Sequence, residues 1–206
     1  MNIDLYEKEN YNKKADEWWD LYGKFAHLDV INPLRSKYVS EKVNLQDKNV
    51  IDVACGGGLL VEALNKFGAK VTGIDISDVA INTAQIHAEK TNCDVTYIHG
   101  EAEDLLPENK ETFDVVTCLE AIEHVPDPQQ LVKTCSDLCK PGGTIVFSTI
   151  NRNPKSFLFA IIGAEYILNL LPKGTHEFKK FLKPSELSNI MRNSNLEVKE
   201  IIGMSY

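Results

Sequence analysis

A short β-branched run, Lys48–Val53, ends abruptly in Ala54, Cys55, Gly56, Gly57 and Gly58, and a helical pattern, LLVEALNKF, follows at 59–67. No other feature constrains the fold as strongly. Glycine has no Cβ and tolerates positive φ, so such a turn lets a ligand come close to the backbone. A strand that feeds directly into a helix belongs to a crossover unit, and crossovers of this kind build parallel sheets. The rest of the chain repeats the theme. Gly68 stops the helix, Lys70–Asp75 forms a second strand, and Ser77 or Asp78 caps a helix running to about Lys90. Strands follow at Asp94–Ile98, Phe113–Cys118 and Thr144–Thr149, with a helix at about Pro128–Cys139. The expected fold is α/β, a doubly wound, mainly parallel sheet with helices on both faces.

Residues 1–206 are expected to form one domain without internal repeats. Helices are expected at 5–22 and 31–44, across or beside the ligand edge of the sheet, so that an N-terminal helical region spans 1–44. Residues 151–184 break the alternation as an insertion. A helix after Pro184 and a strand at Leu196–Ile202 close the pattern. With 43% hydrophobic and 25% charged residues, the balance is that of a soluble globular protein. A formal charge of −8 argues against nucleic-acid binding. Five cysteines without a CxxC spacing indicate neither a disulfide framework nor a zinc ribbon, and reduced thiols point to the cytoplasm. The first twenty residues lack the continuous apolar core of a secretory signal, again an intracellular expectation.

Asp75 closes the second strand about 20 residues after the glycine turn, the position from which a carboxylate holds ribose hydroxyls in doubly wound folds. NAD and S-adenosylmethionine (SAM) both carry such a ribose. A GxGxxG fingerprint starting at Gly56 would need glycine at 61, where this chain has Val61. Asp52 suits a ligand bearing ammonium and sulfonium charges better than a pyrophosphate, which prefers bare helix N-terminal amides. The alternative is a purely structural glycine turn.

Two segments extend the case: HGEAEDL at 99–105 and CLEAIEHVPDP at 118–128, after the third and fourth strands. With the glycine turn and Asp75, this order resembles class I SAM-dependent methyltransferases. The resemblance implies Gly56 and Gly58 beneath the methionine part of SAM, Asp75 on the ribose, Glu101 and Ala102 at the adenine edge and Leu119 lining the cofactor. Ala54 stands where the common pattern has glycine. The strings WWD at 18–20, INPLR at 31–35, AIEHVPDP at 121–128, STINRN at 148–153, GAEYIL at 163–168 and PKGTH at 172–176 further resemble the ubiquinone-biosynthesis O-methyltransferase family across nearly the whole chain. That resemblance implies methylation of phenolic oxygens of polyprenylated catechol-type intermediates at two steps, Arg35 against the SAM carboxylate, and association with other enzymes of the quinone pathway. Members of the family also continue beyond Gly203–Tyr206 with a last sheet strand, which is expected to be missing here.

The methyl of SAM is already reactive, so the enzyme must align it and deprotonate a phenol with a free pKa of about 10. Glu120, Glu123 and His124 are the candidates. If the chain turns helical after the fourth strand, their i, i+3, i+4 spacing puts them on one face. Such a set can hold magnesium or zinc, as the resemblance also implies, and lower the phenol pKa by Lewis-acid action. Alternatively His124 is a metal-free general base. A third reading leaves Glu120 at the cofactor edge, Glu123 solvated and His124 capping a turn. For Arg35 the alternative is a surface ion pair.

The apolar run FLFAIIGAEYILNLL at 157–171 would be roughly 22 Å long as a helix, short of a bilayer core of about 30 Å. Arg152, Lys155, Lys173, Lys179, Lys180 and Lys183 surround it against only Glu165 and Glu177. A buried core helix is one reading. The other is a peripheral contact of Phe157–Lys183 with an anionic membrane surface at its cytoplasmic side. Two rival functions remain beside the leading one: a class I methyltransferase for another small acceptor, and a non-catalytic SAM-binding subunit.

Overall fold

The computed structural model describes residues 2–13, 17–20, 23, 25–157 and 178–204. Most of the apolar run, residues 158–171, and the strings at 163–168 and 172–176 therefore lie outside the described residues. Five strands form one parallel sheet: β1 (Asn49–Val53), β2 (Lys70–Asp75), β3 (Val95–His99), β4 (Phe113–Leu119) and β5 (Cys139–Ser148), in the spatial order β3-β2-β1-β4-β5. The order reverses between β1 and β4, and in open parallel sheets ligands bind outside the carboxyl ends of the strands at that switch.

The helices are α1 (Leu5–Asn12), α2 (Ala26–Lys42), α3 (Leu59–Asn65), α4 (Asp78–Thr91), α5 (Leu106–Asn109), α6 (Pro128–Leu138), α7 (Pro154–Ser156) and α8 (Pro184–Asn193), with 3-10 turns at Ala102–Leu105 and Phe178–Lys180. Alternation along the strands divides the core. Val50, Val71 and Val115 face Val39, Leu60, Leu64 and Ile81 of α2, α3 and α4, while Ile51, Ile74, Val116 and Cys118 face Leu131, Val132 and Cys135 of α6. With both faces covered, β1 and β4 become near-continuous apolar runs. Local signals start the crossover helices. Ser77 Oγ accepts from the Ala80 amide at 3.0 Å, and Asp127 accepts from the Gln130 amide at 3.0 Å just before Pro128.

Several expectations are corrected. The helix expected over 5–22 ends at Asn12, and Glu17–Trp19 form a turn. The second begins at Ala26 rather than 31. Residues 120–126 are a chain of turns and bends, not a helix, because the short path from β4 to the Asp127 cap leaves no room for one. Residues 196–202 form no strand: among the described residues nothing pairs with the outer edge of β5, and Glu200 is instead held on α2 by Lys42 at 2.5 Å and Tyr38 at 2.9 Å. A strand needs a bonded neighbour, and this segment has found side chains instead.

Candidate active site

The carboxyl ends of the strands and the segments that follow them line one continuous cleft, which holds Arg35, Asp52, Gly56, Asp75, Glu120 and His124. Its floor is the glycine turn. Gly56 and Gly58 take φ of +54° and +86°, and Ala54, at φ +60°, adopts a left-handed conformation that costs an L-residue about 1–2 kcal/mol. Glu120 does the same at the end of the neighbouring β4, φ +55°. The two strained non-glycine residues thus flank the switch point, where such strain tends to sit with function.

Asp75 is tied to the turn. Its carboxylate accepts from the Gly56 amide at 2.9 Å and the Ser77 amide at 2.8 Å. Burial raises its pKa against the pull of these amides. Asp52, 4% exposed, accepts a 2.6 Å hydrogen bond from Thr117 Oγ1 on β4. Burial pushes it up to about 7, against the Thr117 hydroxyl and Arg35 and with some help from Asp75. A carboxyl poised in this way is one that a bound cation would ionise.

Trp18 closes the turn from above. A Cβ on Gly56 would fall 2.2 Å from its indole, and one on Gly57 also 2.2 Å. Its Nε1 is buried with no hydrogen-bond partner among the described residues, as is Nε of Arg35, and both donors line the cleft. Arg35 Nη2 lies 3.0 Å from Glu120 Oε1, and Ser148 Oγ donates to that same oxygen at 2.7 Å. Two orphan donors for a carboxylate, positive-φ glycines, the buried Asp52 for positive charge and Asp75 for ribose hydroxyls fit SAM. At the third strand, Glu101 accepts from the Asn2 amide at 3.2 Å and Ala102 is buried, while Leu119 packs between β4 and its neighbours.

Glu120, Glu123 and His124 lie near enough for Glu123 to feel both of the others, yet each takes a different partner. Glu120 is engaged by Arg35 and Ser148, Glu123 Oε1 accepts from the Ile150 amide at 3.4 Å, and His124 Nδ1 lies 3.5 Å from Glu7 Oε2 on α1. Among the described residues no three His, Cys, Asp or Glu side chains come together as a metal-binding group. The reason is the turn after β4, which removes the helical face on which the spacing relied. Burial and Glu120 push Glu123 up to about 7, against His124 and Thr149, and among the described residues no donor reaches its buried Oε2 with hydrogen-bond geometry. Burial lowers the His124 pKa, but Glu7 and Glu123 outweigh it and hold the imidazole above its usual value.

Sequence reasoning missed Glu7, Lys180, Ser148 and the Trp19 clamp. Lys180 Nζ lies 3.2 Å from Asp4 and 3.3 Å from Glu7, so this cation is turned toward α1. Trp19 donates to Gly57 O at 2.9 Å and stacks on His87 with ring centroids 3.4 Å apart, and His87 in turn meets the buried Glu62 at 2.7 Å. Only the WWD string signalled any of these, and only by resemblance.

The sheet order, the positive-φ turn and the acid closing β2 define a class I SAM-dependent methyltransferase. The sequence profile of a methyltransferase domain family matches residues 22–201. Among solved structures, the chain superposes on magnesium protoporphyrin IX methyltransferase from Synechocystis with bound SAH, at TM-score 0.71 and 18% identity over 92% of this chain and 88% of that one. It also superposes on a SAM-dependent methyltransferase from Aquifex aeolicus, at TM-score 0.64 and 17% identity over 84% and 85%. Curated relatives are much nearer in sequence. The ubiquinone biosynthesis O-methyltransferase of Nitrosospira multiformis is 52% identical over all of this chain and 86% of its own length. Those of Saccharophagus degradans and Pseudomonas syringae are 49% and 52% identical over 100% of this chain and 87% and 88% of theirs. The chain belongs to the ubiquinone biosynthesis O-methyltransferase family.

Proposed function

We propose that this methyltransferase transfers the methyl of SAM to phenolic hydroxyls of polyprenylated catechol-type intermediates, at both O-methylation steps of ubiquinone biosynthesis. The observation that carries this reading is the identity of about half of all residues to enzymes named for that pathway, over the full chain. SAM supplies, when bound, an electrophilic sulfonium methyl. Gly56 and Gly58 admit its methionine part, Asp75 holds the ribose, Glu101 and Ala102 meet the adenine, and Leu119 lines the site. The donors of Arg35 and Trp18 suit its carboxylate, and Asp52 its ammonium.

Deprotonation of the phenol falls to His124. With Nδ1 toward Glu7, Nε2 would take the proton as the phenolic O–H bond breaks, leaving a phenolate oxygen to receive the methyl as its bond to the sulfonium sulfur breaks and the neutral thioether leaves. Glu123 Oε2, which no donor among the described residues reaches with hydrogen-bond geometry, would accept from the neighbouring hydroxyl. Transfer of labelled methyl from SAM to a short-chain prenylated catechol, run with EDTA and then with magnesium or zinc restored, tests the whole scheme. Turnover indifferent to EDTA supports His124 as base, and turnover restored only by metal overturns that part. Absence of transfer despite SAM binding favours the non-catalytic alternative.

Membrane docking through Phe157–Lys183 is part of the proposal, with other pathway enzymes as partners on that surface. No helix among the described residues is long and apolar enough to cross a membrane. Phe157 is 42% exposed, and Lys179 and Lys183 are exposed, while Lys180 is engaged with α1. Flotation with anionic vesicles at low salt is the check, and loss of binding on replacing Lys179 and Lys183 is the expected result.

A further inference from the structure

Glu62 stands in the first turn of α3, just past the glycine turn, and is 2% exposed, yet no step of the proposed chemistry uses it. A carboxylate so deep is costly without partners. Both come from α4: His87 Nδ1 lies 2.7 Å from Oε1, and Thr91 Oγ1 donates to Oε2 at 3.1 Å. The contact with Oε1 fixes the orientation of the imidazole. That ring lies flat on the indole of Trp19, with centroids 3.4 Å apart and planes within 2° of parallel. Trp19 Nε1 in turn donates to Gly57 O at 2.9 Å. A chain of contacts thus leaves α3, crosses α4 and returns to the turn from which α3 starts.

The same chain governs where Trp18 stands, because consecutive residues share a rigid peptide plane and an anchored Trp19 limits the positions open to its neighbour. Trp18 is 8% exposed, stacks on Phe25 at 3.9 Å and rests against Gly56 and Gly57. Its indole N–H, on the wall of the cleft, meets no hydrogen-bond partner among the described residues. A buried donor of this kind is one that a ligand would satisfy. We propose that Glu62, His87 and Trp19 are positioning residues for SAM: none touches it, but together they hold the Gly57 carbonyl and the Trp18 indole in the arrangement that receives its methionine part. This rests on the placement of SAM over the glycine turn. A site organised in advance lowers the cost of binding without entering the chemical step, so the signature belongs to cofactor affinity alone.

The test uses the full chain with two variants: Trp19→Phe, which keeps a ring on His87 and loses the bond to Gly57, and His87→Gln, which keeps a donor for Glu62 and loses the stack. Calorimetric Kd and KM for SAM are expected to rise together by about twofold to tenfold in each, while kcat at saturating SAM and KM for a short-chain prenylated catechol stay at parental values. The double variant should lose less than the product of the two single factors, since both changes cut one chain. Mere destabilisation would instead lower kcat through the folded fraction and leave KM in place. That result, or parental SAM affinity in both variants, overturns the proposal. Gly56→Ala separates it from the reading beneath it. Parental SAM affinity in that variant refutes the placement of SAM on the turn, and the positioning chain with it. Weakened affinity there, beside parental affinity in Trp19→Phe and His87→Gln, refutes the chain alone.

Discussion

The cleft has two halves built in opposite ways. The cofactor half is largely local: the glycine turn from Cys55, Asp75 and Ser77 lie within 23 consecutive positions, 55–77, and bond to one another directly, Cys55 N to Ile74 O at 3.1 Å and Gly56 N to Asp75 at 2.9 Å. The acceptor half is assembled from afar. His124 is met by Glu7, Glu120 by Arg35 and Ser148, and Glu7 by Lys180, a partner 173 residues away. One βαβ unit is enough to encode a pocket for a ligand shared by many enzymes. The acceptor side depends on how α1, α2 and the segment after 177 pack, and there one family can diverge from another.

Separating the halves experimentally should produce effects of decreasing size. His124→Ala is expected to lower kcat by about 10²–10⁴-fold while calorimetric SAM affinity stays intact; loss of SAM binding in this variant would break the division. Asp75→Ala should weaken SAM binding by about 1.5–3 kcal/mol, the worth of hydrogen bonds to a charged group, with turnover persisting at saturating SAM. Gly56→Ala meets both a left-handed φ and the indole of Trp18, so its unfolding free energy from urea titration should drop by more than the about 1–2 kcal/mol of backbone strain alone. Gly142→Ala provides the control, because φ there is +76° with nothing within 4 Å of a new Cβ, and only the strain should appear.

Proton linkage sharpens the comparison further. Asp52 and Glu123 sit at about 7 in the folded chain and near 4 when unfolded, so the native state binds more protons across that window. Their contribution to stability is complete below pH 4 and is lost as pH rises through 7. Melting temperatures of the ligand-free chain should therefore fall from pH 5 to pH 8, and Asp52→Asn, which keeps an acceptor for Thr117, should flatten that decline. The smallest expected effect is His87→Gln, which keeps a donor for the buried Glu62; removing the ring stacked on Trp19 should cost about 0.5–1.5 kcal/mol and alter tryptophan fluorescence without changing kcat.

The strands β1 to β4 lie within a residue or two of the positions expected from apolar runs and glycine turns, because β1, β2 and β4 are largely buried and their composition says so, while the half-exposed edge strand β3 still carries a β-branched and aromatic run. β5 starts earlier than expected. Pro141, Gly142 and Gly143 have the composition of a turn, yet Cys139 still pairs with Phe113 across an irregularity in register, a contact set by the neighbouring strand. The i, i+3, i+4 spacing of Glu120, Glu123 and His124 misled for a related reason: periodicity places side chains on one face only when the backbone is helical, and here the connection to α6 keeps it in turns. Glu7 and Lys180 carried no local signal at all, since a charged residue on a short polar helix has the same composition whether it faces water or a histidine.

The sequence by itself determined the sheet, the glycine turn, the acid that closes β2 and the family, because these depend on short-range sterics, burial pattern and residues close along the chain. Only the tertiary structure decided that Trp18 covers the turn, that Asp52 is buried against Thr117, and that His124 looks to Glu7 rather than to a shared metal set. Those relations join segments far apart in sequence. Their energies come from desolvating charges beside particular partners, and that is settled only once the segments have packed.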